Sequence, residues 1–315
     1  MKNNKPVLFS TWGKKYSAPV ASADKMNVVL SLEDKIADDT VWCGTFNLIW
    51  NDLKNELAKK DIEFTPQLDV VRNLNKGTFN TECLSEDSYY KVYGKPTIEL
   101  KKQIEKEIKR KFNETSDILD DFNWNESGDK DYFLYSMLKK EFEFPKVFDR
   151  LEKGKFKDWE NVKYFGIKKK TSEKVREQVK VLYYNSKEDF AIKLLTKSND
   201  EVIISRGNKA NTFGEIYAEI KENNENFKGS KNIEEDEIVK IPNIDFKLKK
   251  EFNEIEAKPF LFASGEEYVI EKAVQTIEFS LDEKGGRVKS EAGMVNKTTA
   301  LLPDLEPREF LVNDT

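Results

Sequence analysis

Residues 286–299 alternate between an uncharged set and a charged set of side chains. The uncharged set is Gly286, Val288, Ser290, Ala292, Met294, Asn296 and Thr298. The other set, which holds all four charges of the stretch, is Arg287, Lys289, Glu291, Gly293, Val295, Lys297 and Thr299. Because a strand sends alternate side chains to opposite faces, the pattern predicts an uncharged face on the core and a charged face in water. The adjacent Gly285 and Gly286 favour a hinge over a continuous strand, and an ordinary amphipathic strand or an exposed loop is the simpler interpretation.

The chain lacks the residues that the common forms of covalent and metal catalysis need. Histidine is absent, which excludes Ser-His-Asp and Cys-His catalysis and most catalytic zinc sites. Acidic pairs occur in SEDS, DILDD and IEEDE, but 58 acidic residues produce such pairs by composition alone. The GKPT stretch lacks the upstream glycine of a phosphate-binding loop. We therefore predict no catalytic residue, no metal site and no cofactor, and we expect a protein that is not an enzyme.

The composition is that of a heavily charged globular protein of 315 residues, with 38% hydrophobic and 35% charged residues. The net charge of −5 gives no reason to expect a nucleic acid or an anionic membrane as partner. No apolar run is long enough to span a membrane, and the N-terminus shows no signal peptide. Two free thiols are favoured for Cys43 and Cys83, with one disulfide as the alternative.

Hydrophobic periodicity places helices early in the chain and strands late. Apolar residues at three- and four-residue steps predict helices over 39–60 and 97–112, and a further helix is expected over 211–222. Strands are predicted at 131–138, in four segments from 161 onward, and at 237–252, where apolar and polar residues alternate. Early helices followed by antiparallel strands indicate an α+β fold, and no linker divides the chain.

The stretch IEKAVQTIEFSLDEKGGRVKSEAGMV resembles the strand, hinge and reactive-centre loop of the serpins, a family of serine protease inhibitors. The matching positions are Glu283, Lys284 and Gly285, with Gly286 where Thr or Ser is usual, and the whole hinge would be Glu283, Lys284, Gly285, Gly286, Arg287 and Val288. Further segments follow in the family's order: TFNLIWNDLKNELAKKDIEFTP, KKQIEKEIKRKFNETSDILDDF, DYFLYSMLKKEFEFPKVFD, QVKVLYYNSKEDFAIKLL, IVKIPNIDFKLKKEF and REFLVNDT. The resemblance covers about three quarters of the chain, and the order of the segments carries it.

The resemblance implies one serpin-like α+β domain over 1–315, with a large mixed β-sheet, N-terminal helices and a second β-sheet. The helix 97–112 would lie across the main sheet, and the reactive-centre loop would span about 283–305. The chain stops at Thr315, before the last two core strands of a serpin. Three explanations are open: the strands were removed, another chain supplies them, or this chain is a reduced relative that lacks them.

The function implied is that of a suicide substrate for a target serine or cysteine protease. The protease cleaves the loop, and the cut loop inserts into the main sheet as a new strand. The inserting face would consist of Ser290, Ala292, Met294, Asn296 and Thr298. The candidates for the scissile bond are Thr299, Ala300, Leu301 and Leu302, and small or apolar residues there suit elastase-like or subtilisin-like proteases. An extracellular or cell-surface location would follow from the family; the oligomeric state is left open.

The hinge departs from the pattern of inhibitory serpins in ways that leave alternatives open. Arg287, Val288 and Lys289 replace acidic and alanine residues that are common there. Val288 and Met294 are also large for a strand that must enter a packed sheet. The alternative is therefore a non-inhibitory binding or structural protein on the same scaffold. A third interpretation is a surface protein with no relationship to serpins.

Overall fold

The secondary structure of the chain, taken from a computed structural model that describes residues 26–125, 131–198, 200–291 and 308–313, confirms the α+β prediction. The helices are α1 (Thr45–Asn51), continued by a π-helical turn over Asp52–Ala58, α2 (Asp69–Lys76), α3 (Ile98–Phe112), α4 (Glu173–Arg176) and α5 (Phe213–Asn226). Short 3-10 helices lie at Thr81–Cys83 and Leu119–Asp121.

Sixteen strands lie within the described residues. They are β1 (Asn27–Val29), β2 (Thr40–Trp42), β3 (Tyr89–Gly94), β4 (Phe133–Glu143), β5 (Asp149–Phe156), β6 (Trp159–Ile167), β7 (Val179–Ser186), β8 (Asp189–Leu195), β9 (Glu201–Arg206), β10 (Ile238–Pro242), β11 (Ile244–Glu251), β12 (Pro259–Leu261), β13 (Glu267–Val269), β14 (Val274–Asp282), β15 (Gly285–Glu291) and β16 (Glu309–Leu311).

Two predicted elements differ from the structure because part of each pairs elsewhere. The helix predicted over 39–60 starts only at Thr45, since Thr40–Trp42 pairs with β1 as a parallel strand. The strand predicted over 237–252 is divided at Asn243 into β10 and β11, which belong to different sheets. In both cases pairing with a segment distant in sequence decides the local structure, which periodicity alone does not reveal.

The main sheet has five strands in the order β11-β14-β15-β4-β3, and every neighbouring pair is antiparallel. The mixed pairing lies in the second sheet, β16-β10-β6-β5, where β10 runs parallel to β16 and antiparallel to β6. A third sheet, β7-β8-β9, and the helix α5 share one hydrophobic core with the second sheet. β15 is therefore an internal strand of the main sheet, with a neighbour on each side.

Each face of the main sheet is covered by a helix. On the side called here the α1 face, Phe46 and Trp50 of α1 pack with Leu248 and Ile277 of the sheet. On the side called the α3 face, the buried stripe of α3 packs against the sheet residues Tyr135, Met137 and Val274. The helix predicted over 97–112 is thus present and lies on the main sheet, as the resemblance implied.

The helix α3 has local signals at both ends. The Thr97 side chain caps its N-terminus by accepting a hydrogen bond from the Leu100 N–H at 3.2 Å. Asn113 ends the helix in the left-handed conformation, with φ 56°. The chain then leaves the helix along the α3 face, and the residues that follow lie over β15.

Candidate functional site

The first two residues of the predicted hinge, Glu283 and Lys284, form a tight turn between β14 and β15, and the other four lie in β15. The strands pair as far as Asp282 and Gly285, so Glu283 and Lys284 alone make the connection. The carbonyl of Lys284 accepts a hydrogen bond from the Phe144 N–H at 2.8 Å, and that of Glu283 accepts one from the Phe148 N–H at 2.9 Å.

The buried Glu283 side chain is also tied to the neighbouring sheet. Its Oε1 atom accepts hydrogen bonds from Arg150 Nε at 2.8 Å and Arg150 Nη2 at 2.6 Å. The Glu283 side chain is 6% exposed while the Arg150 side chain is 75% exposed, so the arginine reaches the carboxylate from the solvent side. The turn is fixed to residues 144–150 by backbone and side-chain bonds.

The expectation that the two glycines interrupt the strand is wrong, because both lie within β15. A Cβ atom at Gly285 would stand 2.1 Å from the Phe142 carbonyl oxygen, and one at Gly286 would stand 2.6 Å from the Ser280 carbonyl oxygen. Both distances are far below van der Waals contact. Glycine is needed here because the start of β15 is wedged between the backbones of β4 and β14.

On the α1 face, β15 presents uncharged side chains, of which Ser290 meets the start of α1. Ser290 is fully buried; its hydroxyl donates to the Thr276 carbonyl at 2.9 Å and lies 3.1 Å from the Thr45 hydroxyl. Burial raises the pKa of the adjacent Cys43 thiol to about 12, so this residue stays a neutral thiol. Both cysteines are free, as the sequence favoured. This side of the strand leaves no room for a charge.

On the α3 face, the charged side chains of β15 meet the segment that follows α3. Arg287 Nη2 bonds to Glu114 Oε1 at 2.7 Å, and Lys289 Nζ bonds to Asp117 Oδ2 at 2.8 Å. The Glu291 carboxylate accepts hydrogen bonds from the Ser116 hydroxyl at 3.1 Å and the Asp117 N–H at 3.0 Å. Each charge of β15 therefore has a specific partner in 114–117.

The prediction that this charged face lies in water is wrong. The Lys289 side chain is 6% exposed and that of Glu291 is 0% exposed, because the segment 113–121 covers them. The alternation itself is present, since the two sets of side chains point to opposite faces. The alternation predicts which residues share a face of the strand. Whether that face is exposed to solvent depends on which other segment packs on it.

Burial and pairing shift the pKa values of this cluster in different directions. Burial raises the pKa of the Glu291 carboxyl to about 7 from an ordinary 4.5, and its hydrogen bonds and Lys289 oppose that only in part. For Lys289, desolvation is outweighed by Asp117, Glu291 and Glu114, so its pKa lies above the usual value. The pKa of Asp117 is lowered, because hydrogen bonds from Lys289 and Lys247 outweigh desolvation.

Beyond the C-terminal end of β15, the neighbouring strands β4 and β14 continue and border a cavity. β15 pairs with β4 only over Leu138–Glu143, so Phe133–Met137 of β4 extends beyond it. A cavity of about 320 Å³ lies there, bounded by Phe133 and Tyr135 of β4, Val274 of β14 and Glu291 at the end of β15. Aromatic side chains from outside the sheet complete its wall: Phe46, Trp50, Phe122, Phe260, Phe262 and Tyr268.

Part of the predicted site lies outside the described residues. Of the predicted inserting face, Ser290 is described and lies in the core of the α1 face. The remaining members, Ala292, Met294, Asn296 and Thr298, and the scissile-bond candidates Thr299, Ala300, Leu301 and Leu302 lie outside that range. Within the described residues, no group of His, Cys, Asp or Glu is placed to hold a metal ion, and no helix of that range is long and apolar enough to cross a membrane.

Sequence reasoning missed the partners of β15, namely Thr45 on one face and Glu114, Ser116 and Asp117 on the other. One signal was available for the second group. The stretch NETSD follows directly after the predicted helix 97–112, which the resemblance placed across the main sheet. Its two acidic residues lie where the basic residues of an inserted strand would need partners.

Comparisons with solved structures find several serpins. The chain is similar to cleaved Serpin 42Da, with 11% identity over 69% of this chain and 59% of that one and a TM-score of 0.42. It is similar to emu (Dromaius novaehollandiae) ovalbumin, with 9% identity over 70% of this chain and 69% of that one and a TM-score of 0.43. It is also similar to reactive-loop-cleaved human thyroxine-binding globulin, with 10% identity over 91% of this chain and 95% of that one and a TM-score of 0.46.

No family model and no curated protein sequence matches the chain. These three matches have identities of 9–11% and TM-scores of 0.42–0.46. The match to Serpin 42Da spans 59% of that protein's length.

Proposed function

We propose that the chain is a serpin-like inhibitor that acts as a suicide substrate for a serine or cysteine protease. The observation that carries the proposal is the position of β15, the start of the predicted loop, between β14 and β4. The cavity beside the end of β15 lies where the next residues of the loop would extend that strand. The proposal treats 1–315 as one serpin-like domain and needs no nucleic acid, membrane, cofactor or metal.

The reaction expected of the loop begins with the protease's own nucleophile. That nucleophile attacks a carbonyl carbon within 299–302, an acyl-enzyme bond forms, and the amine of the following residue leaves. The freed loop can then extend β15 into the space beside Phe133–Met137 of β4, where its backbone gains strand partners. Burial of Ala292 and Met294 would add about 25 cal/mol per Å² of apolar surface. An extracellular or cell-surface location stays a prediction.

One observation favours the second candidate, a non-inhibitory protein on this scaffold. In the uncut chain, Gly285–Glu291 already lies in the main sheet, and its charges are buried against 114–117. The free energy gained by pairing Gly285–Glu291 is therefore already present before cleavage. Only insertion of the residues after Glu291 can stabilise the cleaved chain further. A protease that cuts such a loop could hydrolyse the acyl-enzyme and leave before insertion is complete.

A complex-formation assay separates the two candidates. The purified chain is incubated with an elastase-like and a subtilisin-like protease, and the products are resolved under denaturing conditions. An inhibitor gives a covalent complex whose mass is the sum of the two proteins less the released C-terminal peptide, and mass spectrometry of that peptide identifies the scissile bond. Cleavage within 299–302 with no covalent complex would support the non-inhibitory candidate instead.

Two variants test whether insertion drives the trapping. Met294→Arg places a charge on the predicted inserting face, so we expect cleavage without complex formation, because a buried unpaired charge opposes insertion. Val295→Arg, on the opposite set, is the matched control and should still form the complex. If both variants trap the protease equally, insertion of the predicted face is not what holds it.

A further inference from the structure

The segment Glu114–Asp117, called the latch segment, is complementary to β15 in charge. On its α3 face, β15 carries the alternate residues Arg287, Lys289 and Glu291. Glu114 and Asp117 pair with the two basic residues at 2.7 Å and 2.8 Å. The acidic residue of the strand accepts hydrogen bonds from one hydroxyl and one backbone N–H of the segment, while the Asp117 carboxylate nearby opposes its charge. The two basic residues thus meet acidic partners, and the acidic residue meets hydrogen-bond donors.

The contacts are largely withdrawn from water. The side chains of Arg287 and Glu114 are 15% and 17% exposed, and that of Lys289 is 6% exposed. Buried pairs are screened by salt far less than surface pairs. Loss of one member also leaves its partner's charge buried and uncompensated, which is strongly unfavourable.

Charged groups of the neighbouring strands fix the latch segment in place. On the β4 side, Lys139 Nζ lies 3.2 Å from Glu114 Oε1 and donates to the Phe112 carbonyl at 3.2 Å. On the β11 side, Lys247 Nζ lies 3.0 Å from Asp117 Oδ1. The segment is therefore bonded to strands on both sides of β15 as well as to β15 itself.

We propose that the latch segment recognises the charge pattern of β15 and holds this strand in one register between β14 and β4 before any cleavage. A slip of one residue would turn Lys289 and Glu291 onto the α1 face, where Ser290 now fills the space. A slip of two residues that brings Glu291 to the place of Lys289 would set its carboxylate against Asp117. Other registers are thus opposed by misplaced charge.

The latch holds Gly285–Glu291 within the main sheet of the uncut chain, so it limits how much of the predicted loop a protease can reach. This role does not require the chain to trap a protease. The absence of a covalent complex with a protease would not contradict the latch proposal. A negative result in the latch test below would not contradict the proposal of protease trapping.

A double-mutant cycle monitored by hydrogen exchange tests the latch. The variants are Lys289→Met, Asp117→Asn and the two combined, and the readout is the exchange rate of peptides covering 285–291 and 113–119. We expect each single change to speed exchange of both peptides by about tenfold or more, and the double variant to be close to the worse single one. The matched control is Lys193→Met with Glu201→Gln, a pair at 2.7 Å between β8 and β9, which should leave both peptides unchanged.

A double variant that folds better than either single one, or that exchanges no faster than the worse of them, supports coupling through the latch. Single changes that leave 285–291 at the parent exchange rate would overturn the proposal. Effects that multiply in the double variant would also overturn it, since independent sites add in free energy.

Discussion

The two faces of β15 are stabilised by different interactions. On the α1 face, Ser290 fills a closed space beside Thr45 and Thr276, and what matters there is small size without charge. On the α3 face, Lys289 and Glu291 are equally withdrawn from water but are charged, and their partners are polar groups of the segment after α3. The comparison shows that burial of both faces does not require both to be apolar.

The difference also separates two kinds of specificity. The α1 face selects by volume, since a larger or charged side chain has no space to enter. The α3 face selects by the order of charges, since each must meet a partner of the right sign. The following predictions test each kind, from the largest expected effect to the smallest.

Ser290→Arg should have the largest effect on stability. The guanidinium would be placed in a fully buried site whose polar neighbours already bond to one another. We expect the free energy of unfolding to fall by about 4 kcal/mol, measured by denaturant titration. Asn185→Arg, at an exposed position of β7, is the control and should change little. A loss under about 1 kcal/mol would mean that the α1 face can open.

Stability should also fall as pH rises, through the Glu291 carboxyl. Its pKa of about 7 in the folded chain is above its ordinary 4.5. Below pH 4.5 the group is protonated in both the folded and unfolded states, so its full contribution is present there. As pH rises from 4.5 to about 7 the unfolded state releases the proton while the folded state keeps it, and the folded state loses about 3 kcal/mol relative to the unfolded one.

Glu291→Gln should remove that loss, so its stability difference from the parent should grow between pH 4.5 and 8. The nearby groups Lys289, Asp117 and Tyr135 stay in place. Thermal unfolding of parent and variant across this range is the measurement. Glu99→Gln, exposed in the first turn of α3, is the control for a carboxylate in water. A constant difference between parent and Glu291→Gln would show that this residue does not titrate in the folded chain near neutrality.

Gly286→Ala should have the smallest of these effects, about 2 kcal/mol of lost stability from overpacking. Its Cβ would stand 2.5 Å from the Phe142 ring, which can move, and 2.6 Å from the Ser280 carbonyl oxygen, which belongs to the backbone of β14. Gly94→Ala on β3 is the matched control, because there the nearest atom is a Leu100 methyl group at 3.5 Å. Equal melting temperatures for the two variants would contradict the close packing of β15.

Local pattern predicted the elements whose ends are marked in the chain itself. The helix α3 was predicted within one residue, since its apolar stripe is regular and Thr97 and Asn113 mark its ends. The start of α1 was misplaced, because Thr40–Trp42 is drawn into a strand by β1. The division of 237–252 at Asn243 was missed for the same reason, as its two halves pair with different sheets.

For the site, the sequence indicated the strand but not its partners. Ser290 and Glu291 were placed on opposite faces by period two. Their partners are far away in the chain: Thr45 is 245 residues from Ser290, and Asp117 is 174 residues from Glu291. No local pattern relates positions so far apart, and with one sequence no covariation is available to pair them.

The alternation of 286–299 by itself determined that charged and uncharged side chains of β15 point in opposite directions, because a strand has no other geometry. Only the tertiary structure decided that both faces are covered. The segment after α3 lies over the charged face, and burial there is tolerated because Arg287, Lys289 and Glu291 each find a partner. The charge pattern of a strand face indicates which groups can pair with it. Whether that face contacts water or protein depends on where a distant part of the chain packs.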